Sequence, residues 1–324
     1  MKDVQEIITV SWEKVLNIDN INIDDDFFTI GGNSYKALLS VLYINDKINN
    51  PNINISILDF YNNTTIRNLT NFILGNGQST ITLLNEYKKV ENKDLFLFPS
   101  IIGSPIVLND VIPYLNNYNC YGVNFEFMTQ SIHDLSDKFF EEIININDAN
   151  NKTINLLGYS YGAIFCYEII KKLNAKGYLV NFVVIDTIPN GAEYYGWDEE
   201  YIKDYFSKTL EDKNIIYELS MYGIQSQLTD KDSFEYLKDR ALYKLNQLYL
   251  YKPETKIECN VLLIEAEENL NLRYKIAMNK TIYEVWKSYV DGEITHRHIS
   301  GNHYTIVQKN NGEQLATIIN NWLK

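Results

Sequence analysis

The stretch Leu156-Leu157-Gly158-Tyr159-Ser160-Tyr161-Gly162 constrains this chain of 324 residues more than any other. Ahead of it, Ile154 to Leu157 reads as a buried strand; after it, Ala163, Phe165, Cys166, Ile169, Ile170 and Leu173 recur at helical spacing. The Gly-x-Ser-x-Gly between them predicts a sharp strand-to-helix turn. Small residues flank the serine because a larger Cβ would clash there, and the hydroxyl of Ser160 is lifted into a cleft. Three fixed positions in five also occur in ordinary turns, so it is the order strand, turn, helix that gives the motif its weight.

A serine becomes a nucleophile only beside a base, and the base needs an acid to orient it. The next apolar strand, Phe182-Val183-Val184-Ile185, ends at Asp186, and the carboxyl ends of strands are where α/β sheets carry their chemistry. Asp186 is therefore the first candidate for the acid. Glu267, with its neighbours Glu265 and Glu268, lies just past the later strand Val261 to Ile264 and competes for the same role.

Four histidines can supply the base. His303, in Ser300-Gly301-Asn302-His303, follows the last strand-like segment and precedes a helix with Leu315, Ile318, Ile319 and Trp322 on one side, which puts it in a loop at the sheet edge. His296 and His298 alternate on the strand Ile294 to Ile299 and share a face. As a metal pair they lack a third ligand that the sequence can place, so no metal site is expected. His133 opens a helix and is expected at the surface.

Strand-like segments at 95–98, 120–123, 154–157, 182–185, 261–264 and 294–299, separated by helical ones, predict an α/β sandwich around a mostly parallel sheet. A formal charge of −13 argues against a nucleic-acid or anionic-membrane partner, either of which needs a basic face. Cys120, Cys166 and Cys259 are odd in number and sit in apolar segments, as reduced, buried thiols do. With no apolar stretch at the N-terminus and no run of membrane-spanning length, a cytoplasmic location is expected.

The first 75 residues read differently. Val4, Ile7, Ile8, Trp12 and Val15 mark one helix; Ala37, Leu38, Val41, Leu42 and Ile48 a second; a short segment spans 57–61 and a last helix about 65–74. A bundle of this size is near the lower limit for folding alone. Ser34 can be read as a helix N-cap. The run Asp26-Phe27-Phe28-Thr29-Ile30-Gly31-Gly32-Asn33-Ser34-Tyr35-Lys36-Ala37-Leu38, however, resembles the core motif of peptidyl carrier domains of nonribosomal peptide synthetases. That resemblance implies a covalent 4'-phosphopantetheine arm on Ser34, loaded by a phosphopantetheinyl transferase. Where that family often has a proline before its last helix this chain has Asn63-Thr64-Thr65-Ile66, and Thr can cap the helix. Residues 76–92 are expected to be a linker, flexible enough to span roughly 20–25 Å.

Residues 93–324 resemble the thioesterase domain that ends such synthetases, an α/β hydrolase with a helical lid insertion preceded here by the four-helix carrier bundle. The resemblance implies Ser160, Asp186 and His303 as catalytic triad. From the match of Phe98-Pro99-Ser100-Ile101-Ile102-Gly103 to the family's turn, it also implies the Ile101 and Tyr161 backbone N–H groups as oxyanion hole. The tyrosine-rich segment of about 190–252 corresponds to the lid. The function so implied is release of an acyl or peptidyl thioester, delivered by upstream synthetase modules, through an acyl–serine intermediate followed by hydrolysis or macrocyclisation. An alternative is a carrier fused to a hydrolase-like domain that docks acyl chains without catalysis.

Overall fold

The helical spacing of Ile8 and Trp12 folds as α1 (Lys2–Leu16), followed by α2 (Ser34–Ile48), α3 (Ile57–Asn62) and α4 (Ile66–Leu74). In this computed structural model residues 2–48, 50, 53, 55–75, 80–85, 93–125, 130–147, 151–189, 243–244, 246–248, 250–268 and 280–324 are described. They divide into two units, at Ser79 and Thr80. Almost all of the expected lid, 190–252, lies outside the described residues.

Three fully buried aromatic rings hold the N-terminal unit together. Phe27 meets Trp12 and Phe60 edge-on, each with ring centroids 4.8 Å apart. Burying such a side chain stabilises by about 1.5–3 kcal/mol, a large share for so small a core. Asp26 shapes the turn that delivers Phe27: its Oδ1 accepts the Phe28 and Thr29 N–H groups at 3.0 and 3.1 Å, and its Oδ2 the Thr64 hydroxyl at 2.5 Å. The Thr64 hydrogen bond, with smaller help from those two amides, outweighs burial and holds the Asp26 carboxyl below its ordinary range. Where a proline is absent, Thr65 caps α4 by accepting the Asn68 N–H at 3.1 Å.

The second unit is built on a seven-stranded sheet in the order β1-β3-β2-β4-β5-β7-β9. Its strands are β1 (Ile81–Asn85), β2 (Asp94–Phe98), β3 (Asn119–Val123), β4 (Thr153–Tyr159), β5 (Leu179–Ile185), β7 (Asn260–Ala266) and β9 (Ile294–Ile299). All neighbours are parallel except β1, which runs antiparallel to β3. A small pair, β6 (Ile257–Glu258) with β8 (Val290–Asp291), stands apart. Among the described residues the unit also holds helices α5 (Ile132–Ile146), α6 (Gly162–Ala175), α7 (Ile282–Tyr289) and α8 (Lys309–Trp322). The buried strands β2, β4, β5 and β7 read as continuous apolar runs because helices cover both faces.

One expectation is corrected. Residues 81–85, read as part of the linker, form the edge strand β1, with Ile81 opposite Val123 and Thr80 anchored by its N–H and hydroxyl to Glu142 at 2.8 and 2.9 Å. An edge strand pairs on one side only, so five residues with Ile81 buried and Leu83 exposed carry too little alternation to stand out from the polar sequence around them.

After β3 the chain crosses back over β2 to lay down β4, and winding continues outward from there. This reversal leaves a crevice beyond the carboxyl ends of β2 and β4, the place where open α/β sheets bind ligands. The turn after β2 carries Ile101, and the turn after β4 carries Ser160. All three cysteines are buried; burial pushes the Cys120 and Cys259 thiols up to about 12 and that of Cys166 well above its ordinary value.

Candidate active site

Ser160 has φ +53°, in the left-handed region that costs a non-glycine residue about 1–2 kcal/mol. Both flanking glycines are required. A Cβ on Gly158 would lie 2.4 Å from Ala163 Cα, and one on Gly162 would lie 2.3 Å from the Phe98 carbonyl oxygen. The Ser160 N–H donates to the Ile185 carbonyl at 3.1 Å, tying the turn to the end of β5. Strand, helix and cross-strand bond together hold the strained residue in place.

Asp186 continues β5 by one residue and also turns left-handed, with φ +50°. Its side chain is 1 % exposed, yet it is well partnered: Oδ1 accepts the Ala266 N–H at 3.0 Å and Oδ2 faces His303 Nδ1 at 2.8 Å. The other ring nitrogen, Nε2, lies 3.0 Å from Ser160 Oγ. Asp186 thus favours the tautomer with the proton on Nδ1 and leaves Nε2 to accept from the serine hydroxyl. Of the competing acids, Glu265 meets His296 Nε2 at 3.1 Å, while Glu267 and Glu268 are exposed.

The segment bearing His303 is fixed by its own polar side chains. Asn302 Oδ1 accepts the Tyr304 and Thr305 N–H groups, Asn311 Nδ2 donates to the Ser300 and Thr305 carbonyls, and Gly301 takes φ +96°. The Tyr159 hydroxyl donates to the His303 carbonyl at 2.8 Å, so the residue before the serine also steadies the imidazole.

Tyr161 stands at the start of α6, directly after Ser160, and Ile101 in the turn after β2. Among the described residues neither backbone N–H has a hydrogen-bond acceptor. Lys244 is a residue that sequence reasoning passed over. It is buried, and its Nζ donates to the Ile101 and Ile102 carbonyls at 3.0 and 3.1 Å while standing 5.4 Å from the Phe125 ring centroid. Its signal was a lysine four residues before buried Leu248, on a helix face that should be apolar.

His133 is largely exposed, 3.4 Å from Glu168 Oε2. His296 and His298 lie together on β9; burial, with His298 and Arg297 adjacent, lowers the His296 imidazole below its ordinary value.

In the N-terminal unit, Asn33 caps α2 by accepting the Lys36 N–H at 2.9 Å. The hydroxyl of Ser34, one position further on and partly exposed, is therefore not used as a cap. Gly31, at φ +104°, turns the chain, and Gly32 lies so close to Phe27 that a Cβ would fall 2.3 Å from its ring. A serine presented beyond a tight glycine turn, whose hydroxyl makes no hydrogen bond among the described residues, fits covalent attachment of a phosphopantetheine arm.

Residues 93–323 match the family model described as a thioesterase domain, and residues 6–73 the one described as a phosphopantetheine attachment site. Bacitracin synthase 3 of Bacillus licheniformis is 25 % identical over 338 aligned positions, which take in 99 % of this chain and 5 % of that protein. The chain is thus a small fraction of the length of that relative. Among solved structures, the thioesterase domain described in the cyclisation of surfactin aligns with a TM-score of 0.57 at 15 % identity, over 76 % of this chain and 96 % of that one. A four-domain nonribosomal peptide synthetase bound to AMP and glycine aligns with a TM-score of 0.55 at 20 % identity, over 98 % of this chain and 26 % of that one. At these identities the likeness concerns the fold.

Proposed function

Because this chain belongs to the thioesterase family, with a phosphopantetheine attachment domain ahead of it, we propose that it releases an acyl or peptidyl chain from its own carrier by way of an ester on Ser160. The observation that carries this reading is the series Ser160 Oγ, His303 Nε2, His303 Nδ1 and Asp186 Oδ2, linked at 3.0 and 2.8 Å. In it residues 1–75 serve as carrier, and the releasing domain begins at Thr80, since β1 belongs to its sheet.

The attachment domain carries its 4'-phosphopantetheine on a serine, which we assign as Ser34. When bound, the arm supplies a thiol that holds the acyl group as a thioester. Ser160 Oγ attacks the thioester carbonyl carbon as His303 Nε2 takes the hydroxyl proton. Asp186, buried against His303 Nδ1, stabilises the imidazolium that forms. The Ile101 and Tyr161 N–H groups hold the oxyanion, each lowering the barrier by about 3–4 kcal/mol in comparable sites. By bracing the Ile101 and Ile102 carbonyls, Lys244 keeps the Ile101 N–H aimed at that oxygen.

Collapse of the tetrahedral species breaks the carbon–sulfur bond, and His303 returns the proton to the leaving thiolate. The imidazole then activates the second nucleophile. Water gives a free acid; an amine or hydroxyl of the bound chain gives a ring. Upstream synthetase modules deliver the substrate, and a phosphopantetheinyl transferase loads Ser34. The three buried thiols suit a reducing, cytoplasmic setting. Among the described residues no helix is long and apolar enough to cross a membrane.

Intact-protein mass spectrometry tests the assignment. Ser160→Ala should accept the arm and its acyl group on Ser34 and then fail to release it, whereas the parent passes the acyl group to Ser160 and loses it. Retained turnover in Ser160→Ala would remove Ser160 as the nucleophile, and a parent that holds its acyl group indefinitely would overturn the reading in favour of a carrier joined to a domain without catalytic function.

A further inference from the structure

β9 carries two histidines that the proposed reaction does not use. His296 and His298 are two residues apart on an extended strand, so both imidazoles project from the same face. The parallel register between β7 and β9 sets Leu263 beside His296 and Glu265 beside His298, which brings the Glu265 side chain onto that face as well. Strand pairing thus supplies the third donor that the linear sequence could not.

The three side chains converge. One imidazole nitrogen from each histidine and one oxygen of Glu265 all lie within 4.8 Å of one another. Glu265 Oε2 is 3.1 Å from His296 Nε2, and the two imidazole centroids are 4.4 Å apart at an interplanar angle of 48°. We propose that Glu265, His296 and His298 form a binding site for a divalent transition-metal ion, with Zn2+ the best match to the donor set.

Geometry and donor chemistry both support this. Donors about 2.0–2.1 Å from a tetrahedral zinc lie about 3.3–3.5 Å from one another. At 3.1 Å the Glu265–His296 pair is within a few tenths of an ångström of that separation, and exposed His298 can close the rest by side-chain rotation. Two imidazoles and one carboxylate are a recurrent zinc donor set that leaves the fourth position open to water. Imidazole nitrogen favours Zn2+, Ni2+ or Cu2+ over the oxygen-seeking Mg2+ and Ca2+. The partly buried pair is also held in place, since Tyr283 stacks on His296 with centroids 5.5 Å apart and planes 13° apart. Arg297, the nearest cation in sequence, alternates to the opposite face and donates to the His296 carbonyl at 2.8 Å.

The location gives the site a role. Glu265 immediately precedes Ala266, whose N–H holds Asp186 Oδ1, and β9 runs on into the segment that bears His303. An ion bridging β7 and β9 fastens the edge strand of the sheet at that end. This role is structural, and it stands whether or not Ser160 is the nucleophile.

The test uses the full chain without an affinity tag, stripped with chelator and then titrated with Zn2+ by calorimetry and with Co2+ by visible absorption. The expected result is saturable binding of one ion per chain and a Co2+ spectrum of four-coordinate, nitrogen-containing type. Removing one donor, in His298→Ala or Glu265→Gln, should weaken binding by at least the roughly 10–100-fold seen on losing an outer-shell partner. His133→Ala should leave it unchanged. Because His298 is exposed, its variant keeps the fold, and the thermal midpoint of the parent should rise with Zn2+ while that of His298→Ala does not. Absence of saturable binding, or binding that survives both His298→Ala and Glu265→Gln, would overturn the proposal.

Discussion

Gly162 offers a sharp test of how the serine turn is built. In Gly162→Ala the new Cβ would lie 2.3 Å from the Phe98 carbonyl oxygen, 2.4 Å from that of Pro99 and 2.5 Å from the Phe98 carbonyl carbon. Non-bonded carbon contacts are comfortable at about 3.5–4.0 Å, so relief needs a movement on the order of 1 Å. Every obstructing atom is main chain, and no rotamer change can absorb the overlap. The segment that must yield, Phe98–Pro99, leads directly into Ile101. A misplacement of that size at a catalytic group costs about 10²-fold in rate, which is about 2.7 kcal/mol in the barrier. Overpacking itself costs a further 1–3 kcal/mol or so of stability. The assay is thiol release from a short acyl thioester of N-acetylcysteamine, with thermal unfolding measured in parallel. The loss should fall on kcat, with KM little changed. Gly177→Ala is the control: at φ +77° with nothing within 4 Å of an added Cβ, it should lower stability and leave the rate alone. A Gly162→Ala enzyme within a few-fold of parent activity would refute the reasoning, as would an equal loss of rate in Gly177→Ala.

Three other outcomes follow from named contacts. Asp186→Asn should lower kcat by about 10⁴-fold through the wrong imidazole tautomer, while exposed Glu267→Gln should change it little; the reverse pattern in the same thioester assay would move the acid to the later strand. Lys244→Met removes the buried donor to the Ile101 and Ile102 carbonyls and should reduce kcat, with a stability loss of about 1.5–3 kcal/mol; a variant with unchanged kcat would end its positioning role. The carboxyl of Asp26 is held below its ordinary value, so its stabilising effect is complete above the unfolded value of about 3.9 and fades as pH falls through the folded one. Hydrogen exchange of α4 amides should therefore separate the parent from Asp26→Asn at neutral pH and converge in acid; a gap that did not depend on pH would contradict this.

What could be read from the sequence alone was whatever local pattern dictates. The buried strands announce themselves as apolar runs, and Gly158 and Gly162 as the small positions of a Gly-x-Ser-x-Gly turn, because those patterns span a few residues, whereas the contact of Gly162 with Phe98 and Pro99 does not. Asp186 was legible as a carboxylate at a strand tip, but its left-handed turn and its bond from Ala266 depend on a neighbouring strand 80 positions away. For the same reason β1 was read as linker: half of what makes it a strand is β3. Lys244 and Glu265 show the limit most clearly. Neither residue's segment shows what it does: each gains its meaning from a partner brought in by the fold, the Ile101 turn for one and the β9 histidines for the other.

The burial of Cys120, Cys166 and Cys259 has a practical consequence. At neutral pH none of them offers an accessible thiolate. Once the prosthetic arm is attached, its terminus becomes the sole sulfhydryl that a maleimide can capture on this polypeptide. A fluorophore or spin probe can then be installed on the native molecule without removing a single cysteine, and the extent of tagging counts how much of a preparation has been converted to the holo form.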